Sequence, residues 1–223
     1  MRILLIGYDG GLGKEIAKVL DYYPNRIVQG TINIMDKDAI YGFMEFQPAF
    51  DRIIYCAGVN KIDKFDDTIE SDWWESMDVN CYGFIRLIKI IREKHKFNPP
   101  ICVCIVTSNA ANIPMSHSLA YNCSKAAANM AIRQMAREIP PEEMIIFGVA
   151  PNKLQGTPMS RKIEKKVCEM RDWTPEKAEE YQLKALPAHV ETPPDYCARF
   201  IGHLLMIDCP YIHGTIISYG GPQ

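Results

Sequence analysis

Apolar positions along this chain follow two alternating periods. Short runs in which nearly every residue is apolar, such as RILLI at 2–6, give way to stretches whose apolar residues recur every three or four positions, such as Leu12, Ile16, Val19 and Leu20. The first kind predicts buried strands and the second amphipathic helices. On this basis strands are expected over 2–6, 26–30, 51–56, 101–107, 144–149 and 214–218. Helices are expected from Leu12 onward, then over 36–46, 72–94, 119–138 and 192–206. Strand and helix alternate throughout, which predicts an α/β fold: a doubly wound, three-layer sandwich whose mainly parallel sheet has six to seven strands.

One connection departs from that rhythm. Only residues 31–35 separate the second strand from the next helix, whereas a crossover between parallel strands needs about a dozen residues. The second and third strand region is therefore shortened. The sheet edge should be a single strand, or a strand with a stub at 32–35. Past the fifth strand, two charged helical stretches at 161–171 and 175–184 flank Trp173. This insert, about 156–190, reads as a helical lid over a substrate or as a solvated face.

Composition adds bounds rather than a function. No linker or charge block divides residues 1–223, so a single domain is expected. The formal net charge of -2 gives no electrostatic reason to expect nucleic acid or a membrane surface. The apolar core before Gly7 is only four residues long, 3–6, too short for a signal peptide or a span, which predicts a cytoplasmic protein. The eight cysteines form no C-x-x-C pair and no metal-spaced cluster with histidine. Reduced thiols and no metal are expected.

The chemistry gathers at strand ends. GYDGGLG at 7–13 lies between the first strand and its helix, where a turn without Cβ atoms lets backbone amides and a helix N-terminus meet a pyrophosphate. Ala57-Gly58 makes a second small-residue turn after the third strand. Asn80 sits inside a helical pattern, where asparagine is unfavourable unless it has a polar task. Ser108 ends the fourth strand, Tyr121 lies thirteen positions on, and Lys125 four beyond that. On a helix Tyr121 and Lys125 share one face. A phenol is a poor acid-base group near neutrality unless a neighbouring cation lowers its pKa; alone, the pair also reads as an ordinary surface contact.

Taken in order, these residues resemble the short-chain dehydrogenase/reductase family over nearly the whole chain. Gly7, Gly11 and Gly13 match its G-x-x-x-G-x-G turn, Ala57-Gly58 the end of its N-N-A-G segment, and Asn80 its helix asparagine. Ser108 and the YNCSK run 121–125 follow, then Pro151, TPM at 157–159, His213-Gly214 and Gly220-Gly221. The resemblance implies an NAD(P)-dependent oxidoreductase acting on a small carbonyl or alcohol. Tyr121 would be the general acid or base, and Lys125 would lower its pKa and bind the nicotinamide ribose. Ser108 would hold the substrate oxygen, and Asn80 a water. The cofactor would lie against Gly7, Gly11, Leu12, Gly13, Thr31, Asn33, Ile34, Ala57, Gly58, Tyr121, Lys125, Pro151, Asn152, Leu154 and Thr157. A homodimer or homotetramer is implied as well.

Departures from the family pattern fall on the cofactor side. Ile6 replaces a threonine or serine, Tyr55-Cys56 replace two asparagines, and Asn152 stands where glycine is usual, a residue that tolerates positive φ. Thr157 lies one position later than the family threonine. The end of the second strand, Gln29-Gly30-Thr31, carries no acid to select NAD and no base to select NADP; Thr31, which can donate to a phosphate, tips the expectation toward NADP(H). Two other readings stay open: a cofactor-sensing or scaffold protein that has lost turnover, and a nucleotide-sugar epimerase, for which no extra substrate domain is evident. Met115, His117, Met159 and Trp173 are candidate pocket walls.

Overall fold

In the computed structural model, which describes residues 1–22 and 26–220, a six-stranded sheet is built from β1 (Arg2–Ile6), β2 (Arg26–Gly30), β3 (Phe50–Tyr55), β4 (Phe97–Val106), β5 (Met144–Pro151) and β6 (Ile216–Tyr219). Their order is β2-β1-β3-β4-β5-β6, and every neighbouring pair is parallel. The order reverses between β1 and β3, so a crevice opens beyond the C-terminal ends of these strands. Residues 31–36 form a turn and not a strand: Asn33 Oδ1 accepts from Met35 N–H at 3.1 Å, and Asn33 O accepts from Asp36 N–H at 3.0 Å. The stub at 32–35 is thus absent, and β2 alone makes the edge.

The described residues form eight α-helices: α1 (Gly11–Asp21), α2 (Lys37–Glu45), α3 (Glu70–Met77), α4 (Gly83–Glu93), α5 (Leu119–Glu138), α6 (Pro158–Arg171), α7 (Pro175–Lys184) and α8 (Pro194–Met206). Alternate side chains of each strand feed two separate cores. Leu4, Ile53, Val103 and Ile146 pack with Met44 of α2, Phe84 and Leu87 of α4 and Ile132 of α5. Ile3, Ile54, Cys104 and Phe147 pack with Ile16 and Leu20 of α1 and Ile201 and Leu205 of α8. Helix starts follow local chemistry: Asp36 caps α2 by accepting from the N–H groups of Asp38 and Ala39 at 2.9 and 3.1 Å. Thr157 and Thr174 do the same for α6 and α7, each followed by proline at the first helical position.

The helix expected over 72–94 is where the structure differs most. α3 and α4 are separate α-helical segments joined through residues Asp78–Tyr82, which form a π turn with the backbone still right-handed on either side. Asn80 lies within that turn. A widened turn adds one residue to the hydrogen-bonded ring but barely disturbs the apolar period, which is why the sequence reads as one helix.

His213 joins the two ends of this architecture. Its Nδ1 accepts from Ile146 N–H at 3.1 Å, so Nε2 carries the proton and faces the carbonyls of Ala136 and Ile139, at 2.9 and 3.1 Å, at the end of α5. We expect His213→Ala to lower unfolding stability by about 2 kcal/mol, through loss of these bonds and the unpaired Ile146 N–H left behind. Urea denaturation measures this; an unchanged midpoint would contradict it.

Candidate active site

Ser108 follows the end of β4 and its Oγ accepts from Ala110 N–H at 3.1 Å, which turns the chain into a short 3-10 segment at Asn109–Ala111. Tyr121 occupies the first turn of α5 and Lys125 the next. All three are buried. The Ser108 hydroxyl lies near enough to the Tyr121 phenol to favour its ionised form. The Lys125 ammonium donates to Val106 O at 3.1 Å and lies 5.8 Å from the centre of the Tyr121 ring. A strand end and a helix start thereby bring hydroxyl, phenol and ammonium to one point of the crevice.

Burial dominates the electrostatics of this group. Loss of water pushes the Lys125 ammonium down to about 8, against a smaller opposing effect of the nearby Cys56 and Cys81. The Tyr121 phenol is raised by burial, and Ser108 partly opposes the rise. Burial thus outweighs any lowering of the Tyr121 pKa expected from Lys125. The ammonium points to a carbonyl, and desolvation sets the direction.

Asn80 is held on three sides. Its Oδ1 accepts from Val59 N–H at 2.9 Å, while Nδ2 donates to Val59 O at 2.8 Å and to Ser124 Oγ at 2.9 Å. Ser124 Oγ in turn donates to Tyr121 O at 2.8 Å. Both amide protons of Asn80 are thus committed to protein. The expected water would be held by an Asn80 oxygen and not by its amide protons. A Cβ on Gly58 would stand 3.3 Å from Asn80 Oδ1 and 3.6 Å from Lys125 Nζ, so this glycine lets the loop after β3 pass directly over both groups.

The residues implied to bind a cofactor divide into two sets. Gly7, at φ 82°, abuts Ala57, and a Cβ on Gly13 would fall 2.1 Å from Gly7 O. This turn can be built only without side chains there. Leu12 and Ile34 turn into the core, Pro151 is buried at the end of β5, and Leu154 is bridged to Thr192. Thr31 and Asn33 lie apart from Ser108, Tyr121 and Lys125, exposed at the end of β2.

Two members of the set are already engaged. Asn152 accepts from Asn109 Nδ2 and donates to Gly220 O at 2.5 Å. Its φ is not positive, contrary to what its place in the sequence suggested; among the described non-glycine residues that conformation falls instead on His95, His117, Asp172 and His189. Thr157 Oγ1 accepts from Ser160 N–H at 3.1 Å and donates to Ser160 Oγ at 2.9 Å. Its methyl side presses on Gly11, where a Cβ would come within 2.7 Å. The Thr157 hydroxyl serves the α6 cap.

Sequence reasoning missed several supporting groups. Ser124 lies inside the YNCSK run but went unassigned, and Val59 contributes only backbone. Arg86 bridges distant segments, with Nη1 donating to Ile34 O at 2.5 Å and Nη2 to Asp78 Oδ1 at 2.8 Å. His117, at φ 68°, gives its carbonyl to Asp63 N–H at 3.0 Å. The eight cysteines are free. Cys56, Cys102 and Cys197 are pushed up to about 12 by burial, which keeps them thiols.

The chain belongs to the short chain dehydrogenase family, whose model matches residues 26–167. It is 24% identical to the vibriobactin-specific 2,3-dihydro-2,3-dihydroxybenzoate dehydrogenase of Vibrio cholerae, over 57% of this chain and 50% of that protein. It is 26% identical to human dehydrogenase/reductase SDR family member 4, over 70% of this chain and 52% of that one. The matched region thus spans about half the length of both relatives. The 3-oxoacyl-[acyl-carrier-protein] reductase FabG of Thermotoga maritima is 23% identical over 95% of this chain and 85% of its own. Among solved structures, a short chain dehydrogenase family protein from Francisella tularensis superposes with a TM-score of 0.88 at 18% identity, covering 97% of this chain and 96% of that one. An actinorhodin polyketide ketoreductase determined with NADPH gives 0.87 at 15% identity, covering 99% and 95%.

Lys125 supplies a pH test of this geometry. Its folded pKa lies below its ordinary 10.5, so between about 8 and 10.5 the unfolded chain binds more protons at this site and stability rises with pH. The penalty is present in full below that window and gone above it. Wild type should therefore gain roughly 2 kcal/mol relative to Lys125→Met between pH 7.5 and 10. Paired urea titrations check this, and a pH-independent difference would contradict the burial of the charge.

Proposed function

We propose that the chain is an NAD(P)-dependent oxidoreductase acting on a small carbonyl or alcohol, with Tyr121 as the general acid or base. The observation that carries this reading is the burial of Ser108 and Tyr121 together, with the Lys125 ammonium one turn deeper and 5.8 Å from the Tyr121 ring. Glycine at positions 7, 13 and 58 lets the chain pack tightly against itself along the same strand edge, in keeping with the compact turn a dinucleotide requires. Gly7, Gly11, Gly13, Ala57, Gly58 and Lys125 would hold the cofactor. When bound, a nicotinamide supplies or accepts the hydride. Tyr121 moves the proton at the substrate oxygen, and Ser108 donates to that oxygen as charge develops. Lys125, with a pKa of about 8, is mostly protonated at neutral pH and keeps positive charge beside the phenol.

NADP(H) is the proposed preference. The end of β2 offers the exposed Thr31 and no acid, and two structural neighbours are described with NADPH. Residues 156–190 are proposed as the substrate lid: Lys153 pairs with Glu164 at 2.6 Å and Glu191 at 2.5 Å, and Lys166 pairs with Asp63 at 3.2 Å. Catalytic residues would be Asn80, Ser108, Tyr121 and Lys125. Eight free cysteines support a cytoplasmic setting. Among the described residues, no helix is long and apolar enough to cross a membrane. The exposed Trp74, Tyr82 and Met130, on α3, the π turn and α5, support a homodimer or homotetramer, which light scattering should report at micromolar concentration.

A second reading, a cofactor-sensing protein without turnover, draws on the engaged Asn152 and Thr157 side chains. Thermal shift with NAD(H) and NADP(H), followed by a carbonyl panel, separates the two. Under the first reading NADPH is oxidised with substrate and Tyr121→Phe lowers kcat by about 10²–10⁴-fold, with the NADPH thermal shift retained. Full activity in that variant would overturn the mechanism, and binding without turnover in wild type would favour the sensor.

A further inference from the structure

Three successive residues of the π turn each hold a different part of the molecule. The Asp78 carboxylate receives Arg86, which also binds Ile34 O at the cofactor side of the sheet edge. The Val79 carbonyl accepts from the phenol of Tyr55, at the end of β3, at 2.6 Å. The Asn80 amide holds Val59 and, through Ser124, the backbone of Tyr121. Tyr55 thus reaches the turn from the strand whose following loop Asn80 clamps.

The fit around Tyr55 is close. Its ring is buried edge-on against Phe84, centroids 5.7 Å apart. A Cβ at Gly83 would lie 2.5 Å from its hydroxyl oxygen, 3.0 Å from Ile34 Cγ1 and 3.1 Å from Asp78 O. Burial raises the phenol pKa, with a further push from Asp78, so the group stays a donor. Tyr55 stands where the family resemblance would place an asparagine. A larger residue there needs both a space and an acceptor, and Gly83 supplies the first while Val79 supplies the second.

We propose that Tyr55 is a positioning residue: its hydroxyl pins the π turn at Val79, and this seats the Asn80 amide that holds the Val59 loop over Lys125 and ties α3 to Tyr121. Gly83 is its steric partner. The effect on turnover rests on the oxidoreductase reading above. The effect on the Asn80 seat does not.

Tyr55→Phe removes the hydroxyl and keeps the ring, so a folded protein is retained. Hydrogen exchange at Val59 N–H, which donates to Asn80 Oδ1, should speed up about tenfold or more relative to amides in the middle of β4. In the same variant kcat should fall about tenfold, the NADPH KM should hold within about twofold, and the pH–rate profile should shift. Gly83→Ala should loosen Val59 as well. Adding Tyr55→Phe to it should restore part of the loss, because the clashing oxygen is gone, whereas independent effects would multiply. Unchanged Val59 exchange in Tyr55→Phe, or multiplying effects in the double variant, would overturn the proposal. A change in exchange with kcat and pH profile unaltered would overturn its catalytic half. If wild type turns over no carbonyl with either cofactor, the oxidoreductase reading fails instead, and the exchange measurements alone decide whether Tyr55 seats Asn80.

Discussion

A buried ammonium is the constraint around which this crevice is arranged. Taking the Lys125 charge out of water is costly, and the structure offsets the cost with a backbone carbonyl at the end of β4 in place of a carboxylate. A carboxylate partner would hold the lysine pKa high and cancel its field; with a carbonyl instead, burial is left to push it down to about 8. That choice has geometric requirements. The carbonyl must end a strand, the lysine must sit one helical turn from the phenol, and the loop above must pass close to both Asn80 and Lys125, which Gly58 eases.

Asn80 carries the same arrangement across the helix layer. Its amide ties the loop after β3 to α5, the helix that carries Tyr121 and Lys125, with Ser124 as the intermediate. No ordinary helix turn separates α3 from α4 at that point; the chain widens to a π turn there. Widened turns cost regularity and are found where a side chain or carbonyl must be placed off the standard ladder. Here they free Asp78, Val79 and Asn80 to face three separate partners.

Much of this could be read from the residues alone. Alternating periods located all six strands and the helices between them, and the short run 31–35 was enough to remove a strand from the edge. Ser108, Tyr121 and Lys125 could be placed together because strand ends and helix starts leave local signatures. The π turn could not be read this way, since it preserves the apolar face, and Asn80 was its one outward sign. Tyr55 was read as the loss of an asparagine; its replacement bond spans 24 positions to Val79, a separation no local pattern encodes. The Thr157 hydroxyl became legible only with Pro158 beside it, because a cap followed by proline predicts a helix start before it predicts a ligand contact.

The single-strand edge carries a consequence for how chains meet one another. An outermost strand presents unpaired peptide groups on which another chain can nucleate. β2 is five residues long, and Thr31 N–H folds back on Gln29 O at 3.2 Å as soon as it ends. The template is therefore brief and turns away from its own direction. By losing its outer neighbour the sheet exposes a border, and by keeping that border to a few peptide units it limits strand-by-strand self-association.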